Sequence, residues 1–175
     1  MTYNIHPIFV HFPIAFLILY SFIKIVPLYK WFPKIAWGQV RLVLLLAGVI
    51  GAFVANSTGE IAEHLVNPNN QLVEMHATFA SISTWVFGLL LVGELLAVLN
   101  LKIIPQISAK IGVPKLALFL MFIQKILNNN GISIVLTLVG LVAISITGLL
   151  GGVMVYGVTA DPVAPFILQI LGISV

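Results

Sequence analysis

Residues 132–158 read ISIVLTLVGLVAISITGLLGGVMVYGV, without one charged side chain. A helix needs about 20 predominantly apolar residues to cross the hydrocarbon core of a bilayer. The stretch therefore predicts a transmembrane helix over about 131–158. Soluble domains carry roughly one charged residue in four. This chain of 175 residues has 7% charged and 61% hydrophobic residues, with mean hydropathy +1.16. A water-soluble monomer is excluded.

Three further runs have spanning length. Ile8 to Tyr29 is interrupted only by Lys24, and the second run goes from Leu42 to Ala55 before fading into Asn56, Ser57, Thr58, Gly59 and Glu60. The third runs from about Ala77 to Leu101, with Glu94 near its end. Helices are expected over about 8–30, 40–58, 76–101 and 131–158, in a single transmembrane domain covering 1–175. Leu116 to Ile123 is too short to span and is bracketed by Lys115 and Lys125, so an interfacial helix is expected over about 113–128. The apolar tail, 162–175, is too short as well and is expected on the membrane surface or against a partner. Met1 to Pro7 contains no basic residue, so the first run reads as a retained helix and not as a signal peptide. Cysteine is absent, which removes disulfides and thiolate metal sites.

The fold class that follows is all-α, an integral membrane antiparallel four-helix bundle with an interfacial cytoplasmic helix. If the helices alternate in direction, Lys24, Lys30, Lys34 and Arg41 gather at one end of the bundle. Lys102, Lys110, Lys115 and Lys125 gather at the same end. The other end receives Glu60, Glu63, Glu74 and Asp161 and no basic residue. By the positive-inside rule the basic end is cytoplasmic, in the cytoplasmic membrane of a prokaryote, with the N-terminus and C-terminus outside.

All four histidines fall at the outer end: His6 and His11 at the start of the first helix, His64 after the second, and His76 at the opening of the third. An imidazole about one turn inside the apolar run, as His11 is, costs free energy unless it is satisfied. His76 starts an antiparallel neighbour at similar depth. Two neutral imidazoles facing each other across a bundle are what axial ligation of haem iron needs. His11 and His76 are thus the expected axial pair of a haem b, with His6 and His64 as further ligands or supporting groups. Gly148 and Gly152 would let a flat macrocycle approach, although they equally form a helix-packing motif. An alternative non-haem set is Glu60, Glu63 and His64, which share one helical face and suit a Zn, Fe or Cu ion. No phosphate loop, nucleophile-and-base pair or nucleic-acid surface is present.

The opening His6-Pro7-Ile8-Phe9-Val10-His11-Phe12-Pro13-Ile14-Ala15 resembles that of the membrane family catalogued as Domain of Unknown Function 2231. Thr58-Gly59-Glu60 after the second helix, His76, and Gly151 to Tyr156 at the end of the fourth extend the resemblance. It implies a four-helix membrane domain, often fused to or encoded beside redox modules such as Rieske iron–sulfur domains. Such company implies haem binding and electron transfer, with His11 and His76 matching the ligand candidates. Two features depart from the pattern: Gly157-Val158-Thr159 has no histidine, and Ala77 stands where a polar residue is expected. The function expected is a b-type haem electron-transfer subunit of a respiratory or redox complex, rather than a stand-alone enzyme. Its partners would be membrane lipid, other membrane or extracytoplasmic redox subunits and a quinone, with no nucleic acid. The competing expectation is a structural or accessory subunit with no cofactor.

Overall fold

The computed structural model describes residues 5–63, 70–99, 106, 109–110, 112, 114–159 and 161–173. Four helices are long and apolar enough to cross a membrane. They are α1 (His6–Ile25), α2 (Trp37–Glu63), α3 (Asn70–Val98) and α5 (Asn130–Tyr156). The shorter α4 (Pro114–Leu127) and α6 (Ala164–Ile170) complete the set, and Leu28–Lys30 forms a single 3-10 turn.

In the ring of spanning helices, α1 packs on α2, α2 on α3, α3 on α5, and α5 back on α1. With 20 residues α1 is about 30 Å long, the thickness of the hydrocarbon core, whereas α2, α3 and α5 reach about 40 Å. The extra length explains two differences from the expected bounds. The polar stretch from Asn56 stays helical to Glu63, because a helix satisfies its own backbone beyond the apolar zone. Ser57 and Thr58 also turn their hydroxyls back onto the Phe53 and Ala55 carbonyls, at 3.1 and 3.0 Å. Similarly, α3 begins at Asn70, so His76 lies within the helix and does not open it.

Lipid tails are as apolar as leucine, so close packing and hydrogen bonds drive helix association here, not the hydrophobic effect. On α2, Gly48, Ala52, Ala55 and Gly59 form a small-residue stripe that brings α1 close; a Cβ on Gly51 would stand 3.3 Å from the Pro13 ring. Between α3 and α5, Gly140 accommodates Phe87, whose buried ring meets Tyr20 edge-on at 6.1 Å. Leu17, Leu45, Val49, Leu90 and Ile144 surround that pair. Midway along, the Asn56 amide donates to the Thr84 hydroxyl at 3.4 Å. Outside the ring, large apolar side chains such as Ile50, Trp85, Val135 and Val142 are exposed, as a lipid-facing surface requires.

Helix α4 buries Ala117 against Leu96 of α3 and exposes Leu118, Phe119 and Phe122. Its end is fixed by the Asn128 amide, which donates to the Gly93 carbonyl at 3.2 Å, and Asn129 then caps α5 by accepting from the Ile132 N–H. The tail does not wait for a partner. Ala164, Leu168 and Ile173 pack on Leu72, Leu150 and Val153 of the chain's own α3 and α5, and the Gln71 amide donates to the Gly172 carbonyl at 3.0 Å.

A methyl group on Gly140 would sit 2.9 Å from two Phe87 ring atoms, and that ring is boxed in by Tyr20. Gly140→Ala should therefore cost about 1–3 kcal/mol in reversible unfolding from mixed micelles. Gly88→Ala, with nothing within 4 Å, should change stability by less than about 0.5 kcal/mol. Equal effects would contradict the close approach of α3 and α5.

Candidate functional site

Three histidines can be traced atom by atom. His76 Nδ1 lies 3.0 Å from the Thr147 carbonyl oxygen of α5. A carbonyl only accepts, so the neutral ring carries its proton on Nδ1 and its lone pair on Nε2. His6 Nδ1 lies 3.0 Å from Thr58 Oγ1 of α2. That hydroxyl's proton is already directed to the Ala55 carbonyl at 3.0 Å, so it accepts from His6, whose ring also engages the Ala55 backbone. His6 is thus held in the same tautomer. His11 Nδ1 stands 2.6 Å from the Pro7 carbonyl one turn back, which again leaves the lone pair on Nε2.

Glycines support two of these rings. A Cβ on Gly59 would stand 3.3 Å from His6 Cε1, and one on Gly151 would stand 3.3 Å from His76 Cε1. Each imidazole therefore lies against a bare stretch of the adjacent helix. His6 and His76 come from opposite corners of the ring, on α1 and α3.

Of the expected pair, His76 is turned to α5, whereas His11 bonds back onto its own helix. His11 is exposed on the outside of the bundle, and His6 takes the inward position. The two sit five residues apart, about 140° around a helix, so they cannot share a face. A Cβ on Gly148 would stand 3.8 Å from Ile14 Cδ1, an ordinary packing distance, while one on Gly152 would meet nothing within 4 Å. Glu60 is exposed. His64 and the Glu63 side chain lie outside the described residues, and with them the alternative set Glu60, Glu63 and His64. Among the described residues no group of three or more histidine, aspartate or glutamate side chains converges as a metal cage would require.

A family model described as "Predicted membrane protein (DUF2231)" matches residues 2–162. The chain belongs to this family. No curated protein and no solved structure matches it. As a DUF2231 protein it is a membrane protein, in keeping with its four apolar spans.

The opposite end of this DUF2231 bundle holds a second polar cluster that sequence reading treated only as topology signals. Glu94 Oε1 of α3 accepts from Arg41 Nε of α2 at 3.2 Å and pairs with Lys24 Nζ of α1 at 3.6 Å. One turn deeper, the fully buried Tyr20 hydroxyl makes no hydrogen bond among the described residues, although the Thr137 hydroxyl of α5 lies beside it. A signal was available in the spacing. His6 and Lys24, Gly59 and Arg41, and His76 and Glu94 are each 18 residues apart, which is five turns at about 3.6 residues per turn. Each pair therefore shares one helical face, whereas His11 is rotated about 220° from Lys24.

Removing one partner of a buried ion pair leaves a charge without compensation. Glu94→Gln would strand two cations and should cost about 3 kcal/mol. Lys24→Met leaves a balanced Arg41–Glu94 pair and should cost less than about 1 kcal/mol. Unfolding in mixed micelles measures both, and the reverse order would show that Glu94 does not neutralise the pair.

Proposed function

We propose that this protein binds a b-type haem at its histidine end and serves there as an electron-transfer subunit of a respiratory or redox complex. His76 and His6 would supply the two axial nitrogens. The observation that carries the reading is the pair of Nδ1 contacts at 3.0 Å, from which a shared tautomer follows. Both rings spend Nδ1–H on an oxygen of a neighbouring helix, the arrangement that fixes ring orientation and raises basicity in histidines that bind metal. The donor set suits haem, which needs two opposed imidazoles, better than a caged ion, which needs more ligands. A bound haem would supply one-electron chemistry at its iron. The chain's own part would be to hold the imidazoles and to keep the α2 and α5 backbones close through Gly59 and Gly151.

Sidedness supports the placement. By the positive-inside rule the basic residues at the far end, in particular Lys24, Lys30, Lys34, Arg41, Lys115 and Lys125, would make it cytoplasmic and turn the histidine end outward. The protein would then sit in a prokaryotic cytoplasmic membrane with both termini outside. It would link a quinol pool, or a membrane subunit's cofactor, to an extracytoplasmic redox protein. A cofactor-free accessory role has one specific support, a shallow groove on α3 lined by Ala77, Thr78, Ser81, Ile82, Trp85 and Val86, into which a neighbouring helix could pack.

The test is a reduced-minus-oxidised visible spectrum of protein purified in mild detergent from haem-replete membranes. Paired α and Soret bands are expected, lost in His6→Ala and His76→Ala and kept in His11→Ala. A colourless preparation with intact helicity would refute the haem.

A further inference from the structure

We propose that the cluster of Tyr20, Lys24, Arg41 and Glu94 is a binding site for a phosphate-bearing anion, met in the membrane as the headgroup of an acidic phospholipid. The reasoning begins with charge. Two cations converge on a single carboxylate oxygen, so the cluster carries one positive charge in excess inside a helical ring. Donors are also in excess. Arg41 commits only Nε to Glu94, leaving its two terminal nitrogens, and the Lys24 ammonium pairs with the same oxygen at a separation longer than a good hydrogen bond.

A third donor comes from Tyr20. Its side chain is 0% exposed and its hydroxyl makes no hydrogen bond among the described residues, with the Thr137 hydroxyl beside it, which is costly in an apolar setting. Unpaired donors and an uncompensated positive charge call for an anion with several oxygens, and a phosphate diester matches arginine's planar fork. The site is reachable. The Lys24 and Arg41 side chains retain 16% and 28% of their exposure, in the last turn of α1 and near the start of α2, where headgroups lie. A zwitterionic headgroup would bring its own ammonium to a cluster already positive, so an acidic lipid is favoured.

The experiment is native mass spectrometry of the detergent-purified full chain titrated with phosphatidylglycerol, with phosphatidylethanolamine or with inorganic phosphate. Phosphatidylglycerol should be retained about tenfold better than phosphatidylethanolamine, and Lys24→Gln or Arg41→Gln should remove that preference. Tyr20→Phe keeps the ring packed on Phe87 and should weaken retention several-fold without loss of helicity by circular dichroism. Lys30→Gln with Lys34→Gln should leave it within about twofold, because those residues contribute only diffuse charge. Binding of inorganic phosphate with the same variant dependence would support the site with a free anion as its source. Equal retention of both lipids with no phosphate binding would overturn it. So would a preference that Lys30→Gln with Lys34→Gln abolishes and Tyr20→Phe leaves intact.

Discussion

Glu94 is the interaction on which the arrangement of the bundle turns. At the edge of the hydrocarbon little water is at hand to solvate a charge, so a cation on α1, a cation on α2 and a carboxylate on α3 gain by meeting. Their meeting fixes the rotation of three helices about their own axes. Phe87 fitting against Gly140 then locks the fourth. Because helical phase returns after five turns, the same rotation determines what faces inward at the other end. His6 turns to Thr58, His76 turns to Thr147, and His11 is left outside. The two polar ends are therefore one constraint expressed twice.

The four spans and the all-helical bundle were legible from run length alone, since apolar stretches of that size have few alternatives in a membrane. The fold-back of the tail was not. Leu168 and Ile173 carry no mark that tells lipid or a partner from the chain's own α3 and α5. At the histidine end the sequence shows depth along the chain, and the structure adds rotation about the helix axis. Depth along the chain favoured His11, while rotation about the axis favours His6, and only the register with Lys24 distinguishes them. The inner cluster was visible as individual charges. Its meaning depended on three helices converging, which a linear pattern does not show.

The two ends also divide the labour of the molecule. Histidines, the exposed Glu60 and Glu74, and α6 occupy one end, while the other is basic. Between them lie Leu17, Leu45, Val49, Phe87 and Ile144, an apolar core with the Asn56–Thr84 contact beside it. A redox centre at the histidine end would exchange electrons across its own face, and the basic end would serve as an anchor to the opposite leaflet.

The central claim is that His6 and His76 are held inward as Nδ1–H imidazoles, each turned to an oxygen of a neighbouring helix. Nitrogen-15 NMR of histidine-labelled protein, assigned with single His→Ala variants, measures this directly and needs no cofactor. The account predicts an amine-type shift at Nδ1 and an imine-type shift at Nε2 for both residues, with Thr58→Val disturbing His6 alone. A proton on Nε2 of either ring, or fast exchange between tautomers at both, would contradict it.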